Sequence, residues 1–331
     1  NNNIAIGYQA MVACTTISGT IGIGYKALSS LVDGGTSNLA IGYQALQDTT
    51  TGDNNFAIGY NAGRNITTGH RNTCIGPEAG QAITTTSDNT CIGYIAGYVN
   101  TGNDNTFVGS YCGDANTTGS ENTAVGKSSL DANTTGGSNV AVGYQSLESN
   151  TTGNYNTALG RRALRNNSTG YYCTAVGMNA LMNSAGNHNN AFGHDCGDSV
   201  TTGTVNNLFG QYCGHDITTG SNNCLFGHDN SAYVIELSTG SHNCVFGNYS
   251  RPSATDAEYQ YVFGYNRTGN GDNTFQAGGS NGAYNEANSS TWSTTSDRRI
   301  KKNIVDNNIG LDAIRQIRVR SFEYRTEDEI T

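Results

Sequence analysis

The residues most suited to chemistry are a serine and a lysine near the C-terminus, in the stretch Ser-Asp-Arg-Arg-Ile-Lys-Lys that begins at Ser296. A serine hydroxyl becomes a useful nucleophile when a neighbouring amine accepts its proton, and a lysine can do so if burial lowers the pKa of its amine. Ser296 and Lys301 could form such a pair. A serine five residues before a lysine is common, however, and a solvent-exposed polar stretch ahead of a helix explains the same letters.

Cysteines, histidines and carboxylates are weaker candidates, and each set has a structural explanation. The nine cysteines include no CxxC motif, which argues against a zinc site. His-Asp occurs at His194, His215 and His228, and polar surface turns explain these pairs better than a metal does. Carboxylates are scattered, with no two recurring in the facing positions that glycoside hydrolysis requires. The sequence therefore predicts no cofactor, no metal and no activity on a substrate.

The elements that position these residues come from one unit repeated sixteen times, each copy marked by an anchor glycine. Of the fifteen intervals between anchors, eleven are 17 residues long. A short, fixed period over most of a chain is typical of a solenoid. The anchors are Gly7, Gly24, Gly42, Gly59, Gly76, Gly93, Gly109, Gly126, Gly143, Gly160, Gly177, Gly193, Gly210, Gly227, Gly247 and Gly264.

Positions counted from the anchor glycine form rows along the chain. Alternating residue types predict a strand of about six residues, in which positions −3 and −1 share the inner face and the bulky apolar side chain at −1 points into the coil. Positions −4, −2 and 0 then share a face almost devoid of bulk, which suggests that another backbone approaches it closely. A second glycine at −7, such as Gly52, is expected to supply the positive φ of a turn.

Position −4 is asparagine in thirteen of the sixteen units, and stacked side-chain amides can hydrogen-bond one another along such a rod. We therefore expect a structural ladder of asparagines. Its best-defined members are Asn38, Asn55, Asn72, Asn89, Asn105, Asn122, Asn139, Asn156, Asn189 and Asn206.

Two other rows have more than one interpretation. Cysteines at equivalent positions of adjacent coils would lie about 5 Å apart, since strands are spaced by about 4.8 Å. Packed free thiols are favoured there, and disulfides remain an alternative. A tyrosine row at position +1, including Tyr8, Tyr25, Tyr43 and Tyr60, could stack against sugars of a host glycan or pack against neighbouring coils.

Composition and charge narrow the classes of partner. Only 13% of residues are charged and 35% are hydrophobic, with 44 glycines, so a conventional globular core is not expected. Residues 1–296 carry 9 Lys or Arg against 19 Asp or Glu, and an acidic rod repels nucleic acid. No run of about 18 apolar residues occurs, so membrane insertion is not expected either.

The strand sequence Asn-x-Ala-Ile/Val-Gly, seen at 38–42, 55–59 and 139–143, closely resembles the head repeats of trimeric autotransporter adhesins. In that family three chains each wind a left-handed parallel β-roll around a threefold axis. The resemblance covers roughly residues 1–278. It implies a homotrimeric shaft in which the small-residue face of each chain packs against the neighbouring chains.

The stretch from Ser296 to Ile304, with Gly-Leu-Asp-Ala-Ile at 310–314 and Val-Arg-Ser-Phe-Glu-Tyr at 319–324, resembles the start of another family's domain. This is the intramolecular chaperone of endosialidases and of other phage tail fibres and spikes. Such a domain trimerises the protein ahead of it and then releases itself by autoproteolysis. The resemblance assigns a catalytic Ser/Lys dyad to Ser296 and Lys301, with cleavage next to Asp297.

The sequence thus predicts an all-β protein, a parallel β-solenoid of about 16 coils with a short C-terminal α+β segment. Residues 1–278 form the shaft, 279–295 a linker, and 296–331 the truncated chaperone, with a helix over 303–318 and a strand over 319–325. The expected function is that of a homotrimeric viral appendage that binds a host cell-surface glycan or protein receptor. The alternatives are a bacterial or archaeal surface adhesin and a polysaccharide-degrading tail spike.

Overall fold

A computed structural model of the 331-residue chain describes residues 2–32, 34–230 and 237–278, and the backbone of two short strands at 283–285 and 293–294. They form a parallel β-solenoid in which each coil contributes one strand of three residues followed by turns. The strands are β1 (Ile4–Ile6), β2 (Ile21–Ile23), β3 (Leu39–Ile41), β4 (Phe56–Ile58), β5 (Thr73–Ile75), β6 (Thr90–Ile92), β7 (Thr106–Val108), β8 (Thr123–Val125), β9 (Val140–Val142), β10 (Thr157–Leu159), β11 (Thr174–Val176), β12 (Asn190–Phe192), β13 (Asn207–Phe209), β14 (Cys224–Phe226), β15 (Cys244–Phe246), β16 (Tyr261–Phe263), β17 (Phe275–Ala277), β18 (Ala283–Asn285) and β19 (Ser293–Thr294).

The register follows the sequence repeat directly. Each strand from β1 to β16 pairs in parallel with the next, so that Ala124 of β8 lies beside Ala141 of β9. After β17 the pairing becomes antiparallel through β18 and β19. The predicted solenoid and its 17-residue period are confirmed. The described residues contain no helix, and the helix and strand predicted for 303–325 lie outside them.

Each strand is half as long as the pattern suggested, because left-handed backbone brackets it. In the coil of β9, Ser138 has a φ of 56° and Gly143 a φ of 135°, so extended backbone is confined to the residues between them. The close spacing between coils is a second reason why the anchor positions are glycine. A Cβ on Gly143 would lie 2.5 Å from the carbonyl oxygen of Gly160 in the next coil. No other residue fits both the φ and the spacing.

The glycine at position −7 has a different role from the predicted one. Gly52 is not among the residues with positive φ, so the turn prediction was wrong there. A Cβ on Gly52 would instead collide with the carbonyl oxygen of Gly69 in the next coil. The row is glycine because consecutive turns stack directly against each other.

The predicted inner and outer faces are reversed. Ala141 at position −2 is fully buried, whereas Val140 is half-buried and Val142 is 37% exposed. The coil is too narrow for a second row of bulky side chains, because its interior already holds Ser146 and Leu147 from the turn. Small residues therefore fill the strand side of the core in most coils, and the bulky apolar row at position −1 points outward. A large residue such as Phe107 is accommodated at position −2 where glycine replaces the turn leucine, as at Gly113.

Left-handed backbone at non-glycine residues creates local strain that a single substitution can relieve. Val205 has a φ of 58° and is 42% exposed, although β-branched residues are disfavoured there. Asn54 and Asn222 occupy the same row with nearly the same φ. We expect Val205→Asn to raise the free energy of unfolding by about 1 kcal/mol in denaturant titration.

The control for this prediction is Val32→Asn. Val32 is 41% exposed, and its φ is not positive. The same chemical change should therefore give no gain at that position. Equal effects at both sites would show that polarity, not backbone strain, is responsible.

Candidate functional site

The asparagine row at position −4 runs through the interior, where each amide ties its coil to the next. Asn122 is fully buried, and its Oδ1 accepts the backbone N–H of Asn139 at 3.1 Å. Its Nδ2 donates to the carbonyl oxygen of Gly136 at 2.9 Å. One side chain thus satisfies two backbone groups of the following coil. The same backbone N–H to Oδ1 contact recurs along Asn38, Asn55, Asn72, Asn89, Asn105, Asn122, Asn139 and Asn156, and again along Asn189, Asn206, Asn223 and Asn243.

Cys173 interrupts the row. Its backbone N–H still donates to Asn156 Oδ1 at 3.0 Å, but its side chain is a thiol that donates to the carbonyl oxygen of Gly186 at 3.2 Å. Sulfur is a weak acceptor, so it does not replace the amide oxygen for the next coil. The ladder therefore restarts at Asn189.

A second asparagine row, which the sequence reasoning missed, lies at position +7. Asn116, Asn133 and Asn150 are fully buried, and the Asn133 amide donates to Asn116 Oδ1 at 2.5 Å. Asn150 donates to Asn133 Oδ1 at 2.7 Å. The signal was present in the recurring Asn-Thr-Thr-Gly, but those letters were interpreted as a turn alone. Nearer the N-terminus the same row is apolar, with Ile66 and Ile83.

Side-chain hydroxyls and amides also connect consecutive coils in and next to the Thr-Thr-Gly segments. Thr134 Oγ1 donates to the carbonyl oxygen of Thr151 at 3.0 Å. Asn154 Oδ1 accepts the backbone N–H of Gly137 at 2.7 Å. The Thr-Thr-Gly segment is thus a set of contacts between coils as well as a turn.

The ladder predicts a large effect from one buried amide. Asn122→Ala leaves the Asn139 N–H buried without its acceptor and removes one of the two amides that donate to the Gly136 carbonyl. It should lower the free energy of unfolding by about 2 to 3 kcal/mol in denaturant titration. Asn166→Ala, at an exposed asparagine that bonds the Asn183 side chain, is the control and should cost under about 1 kcal/mol. Cys173→Asn should be stabilising, because it rebuilds the broken rung. A loss at Asn122 no larger than that at Asn166 would contradict the ladder's role.

The outer face of the sheet carries a continuous apolar row at position −1. Ile6 is 58% exposed and Phe192 is 38% exposed, and the row extends along the whole solenoid. Phenylalanine rings stack along its last third, with centroids 4.5 Å apart between Phe209 and Phe226. Exposed apolar patches of this extent mark interaction surfaces. The row consists of Ile6, Ile23, Ile41, Ile58, Ile75, Ile92, Val108, Val125, Val142, Leu159, Val176, Phe192, Phe209, Phe226, Phe246 and Phe263.

The tyrosine row beside it is already stacked on itself near the N-terminus. Ring centroids are 5.5 Å apart between Tyr8 and Tyr25, 5.0 Å between Tyr25 and Tyr43, and 5.2 Å between Tyr43 and Tyr60. The ring planes are nearly parallel, so the rings of Tyr25 and Tyr43 each stack face to face with the ring on either side. This geometry favours packing between coils over stacking against sugars.

None of the nine cysteines forms a disulfide, and the surroundings of several of them raise the pKa of the thiol. Contact with the Cys74 thiol, together with burial, raises the pKa of the Cys91 thiol well above its ordinary value. Burial raises the pKa of Cys112 to about 12 and that of Cys173 to about 11. Thiols that stay protonated are poor nucleophiles and poor metal ligands.

The histidines form pairs with carboxylates rather than a larger cluster. His215 Nδ1 lies 2.6 Å from Asp198 Oδ1, and His194 Nδ1 lies 3.1 Å from Asp195 Oδ2. His228 makes an edge-on contact with Tyr249. Across the described part of the chain, no three His, Cys, Asp or Glu side chains converge as a metal site would require.

Carboxylates stack at position +5 in the middle of the shaft. Asp114, Asp131 and Glu148 lie in consecutive coils, and Arg165 follows them, with its Nε 2.5 Å from Glu148 Oε2. Partial burial, a hydrogen bond with Asp114 and the negative charges of Asp114 and Glu148 raise the pKa of Asp131 to about 7. Folding therefore favours a proton on this pair of aspartates.

The raised pKa of Asp131 predicts a specific pH dependence. Between its ordinary pKa of 3.8 and about 7, the folded chain holds a proton that the unfolded chain releases, so this group's contribution to stability falls as pH rises through that window. Asp131→Asn should remove the fall and should stabilise the protein most at pH 7 and above. Thermal unfolding of both proteins from pH 4 to pH 8 measures it, with Asp104→Asn at an exposed position as control. A constant difference in Tm across the range would show that the assignment is wrong.

The predicted dyad of Ser296 and Lys301, and Asp297 beside it, lie outside the described residues. Residues 296–331 match the family described as chaperone of endosialidase. The resemblance predicted from this C-terminal stretch is confirmed by that match. It covers about a tenth of the chain, and the solenoid lies ahead of it.

Other comparisons add little to this assignment. No curated protein matches the chain. Where the structure describes the chain, no helix has the length and apolar character that spanning a membrane would require. The solenoid and the chaperone segment together define a fibre-like structural protein.

Proposed function

We propose that the chain is the shaft of a homotrimeric fibre, of the phage tail fibre or similar viral appendage kind, that attaches to a host surface. Its C-terminal segment at 296–331 belongs to a chaperone that assembles the trimer and then cleaves itself off. The appendage is extracellular and part of the virion. The observation that carries the proposal is the apolar row on the outer face, at one end of which the chaperone segment follows.

The size of this row supports association of several copies. Six of its sixteen side chains are 37–58% exposed and the other ten are partly exposed. The open apolar area is then on the order of several hundred Å² per chain, which approaches the roughly 800 Å² per partner that stable interfaces bury. The row repeats at every coil, so only partners lying along the rod cover it completely. A rotation axis parallel to the rod brings the same coils of each copy side by side.

The interface therefore differs from the one that the sequence alone suggested. The Asn and Ala rows are closed inside one chain, as shown by the complete burial of Asn139 and Ala141. The bulky row that includes Val142 is the face left open. We place the contacts between copies on that row, with the residues at position −3, such as Val140 and Thr157, beside it.

An acidic substitution in the outer row should prevent assembly of the copies without preventing folding of the chain. Val142→Asp puts the carboxylate at a site that is 37% exposed in one chain, so each coil should still fold, whereas the apolar contact between copies is lost. Native mass spectrometry of the wild-type chain joined to a complete chaperone should show a trimer, and the variant should show mainly monomer with an unchanged far-UV circular dichroism spectrum.

The matched control is Thr152→Asp, an exposed position in the same coil. It should remain trimeric. A wild-type chain that stays monomeric, or equal effects of the two aspartates, would contradict the proposed interface.

Self-cleavage gives an independent test of the chaperone assignment. With a complete chaperone domain appended, the chain should yield a shortened shaft and a released piece that begins at or next to Asp297. Ser296→Ala and Lys301→Ala should each block cleavage without preventing trimer formation, because folding precedes the chemistry. Lys302→Ala should cleave normally. Intact mass spectrometry distinguishes these outcomes, and normal cleavage in Ser296→Ala would exclude it as the nucleophile.

A further inference from the structure

Charge is distributed unevenly along the shaft. Residues 1–126 carry three Lys or Arg against eight Asp or Glu, and residues 166–296 carry two against nine. Residues 127–165 between them carry four against two. An otherwise acidic rod thus has one short basic island, at the coils anchored by Gly126, Gly143 and Gly160.

Two cations and an aromatic ring share one row in this island. Lys127, Tyr144 and Arg161 each follow the anchor glycine of consecutive coils. Two strand spacings separate the outer pair of backbones, about 10 Å along the rod. Lys127 and Arg161 are exposed, and Tyr144 is 41% exposed.

The ring of Tyr144 differs from the stacked tyrosines near the N-terminus. Its neighbours in the row are Lys127 and Arg161, with the guanidinium carbon of Arg161 6.0 Å from the ring centroid. Arg161 thus lies over one face of the ring, and no tyrosine covers the other. A flat apolar group can reach that second face.

The acidic groups nearby are already engaged. Glu148 lies 2.5 Å from Arg165 Nε and accepts a hydrogen bond of 2.6 Å from Gln145 Nε2. Arg162 Nε donates to Gln145 Oε1 at 3.2 Å. Among the described residues, no carboxylate lies within 4.0 Å of the charged nitrogens of Lys127 or Arg161. Arg161 Nη1 makes a weak contact with Met178 Sδ at 4.0 Å. Since neither cation is paired with a carboxylate, both can bind an anionic ligand.

We propose that Lys127, Tyr144 and Arg161 form a binding site for a linear acidic polysaccharide that lies along the rod. A chain with one carboxylate on every second sugar has charges about two strand spacings apart, so one carboxylate meets Lys127 and the next meets Arg161. The sugar between them packs on Tyr144. This inference rests on the proposed role in surface attachment and names the class of ligand for it.

The surroundings favour a polysaccharide over a nucleic acid. A nucleic acid carries one phosphate per nucleotide, more closely spaced than the two cations, and each extra phosphate would face acidic coils on either side of the island. A polysaccharide of lower charge density avoids that repulsion. Its sugar rings also supply the apolar C–H faces that suit an exposed tyrosine.

The test measures binding of hyaluronan oligosaccharides, which carry one carboxylate per disaccharide, to the full chain by biolayer interferometry at low and moderate salt. We expect saturable binding that weakens with salt. Neutral dextran should not bind, and single-stranded DNA of equal length should bind more weakly. The double variant Lys127→Gln, Arg161→Gln should lose about tenfold or more in affinity, and Tyr144→Ser should also bind less well.

Lys26→Gln is the matched control, because Lys26 also lies beside a tyrosine, 5.5 Å from the ring centroid of Tyr25, but in an acidic part of the rod. It should bind like the wild type. No binding by the wild type, equal losses in control and double variant, or stronger binding of DNA would overturn the proposal. Circular dichroism and native mass spectrometry on the same samples report folding and trimer formation separately. A failure of the fibre proposal is therefore distinguishable from a failure of the polysaccharide-binding proposal.

Discussion

The hydrogen bond from a backbone N–H of one coil to the asparagine side chain of the preceding coil is the interaction on which the solenoid depends. A three-residue strand offers few backbone bonds, and turns leave many polar groups inside a narrow coil. Asn122 meets both needs, since its oxygen accepts from Asn139 and its amide donates to Gly136. Because Asn122 is fully buried, these bonds offset the cost of removing backbone polar groups from solvent.

This polar interior determines where the apolar residues lie. With asparagine, alanine and turn leucines filling the coil, no volume remains for Val142 or its equivalents, and they lie on the outer face. Such a row would make an isolated rod prone to aggregation, because it is long, regular and apolar. Association of copies buries the row, and this association is the step that the chaperone segment at 296–331 would assist.

The period of the repeat predicted the solenoid, its strand positions and the number of coils, because parallel in-register stacking places equivalent residues in rows. The direction of each row was not predictable by alternation alone. The alternation predicts that Ala141 faces the opposite way from Val140 and Val142, but it does not predict which of the two faces is buried. The usual preference for bulky residues in the core favours the face of Val140 and Val142, which is in fact the outer one. Deciding between the faces requires the width of the coil, which the strand sequence does not contain.

Other errors have the same origin. Gly52 was interpreted through its own backbone angle, although contact with the neighbouring coil is what requires it. Asn133 was passed over as part of a turn, although it is buried against Asn116. In both cases the determining contact is with a residue one period away. The chemistry assigned to Ser296 and Lys301 depends on residues that the structure does not describe.

Amide hydrogen exchange measured residue by residue is the most direct test of the ladder. The backbone amide of Asn206 donates to Asn189 Oδ1 at 2.9 Å, whereas the amide of Asn189 has Cys173 as its counterpart one coil earlier and lacks such an acceptor. We expect the backbone amide of Asn206 to be among the slowest to exchange and that of Asn189 to exchange markedly faster, although both side chains are fully buried. Equal rates at the two positions, comparable to those of exposed turn amides, would contradict it.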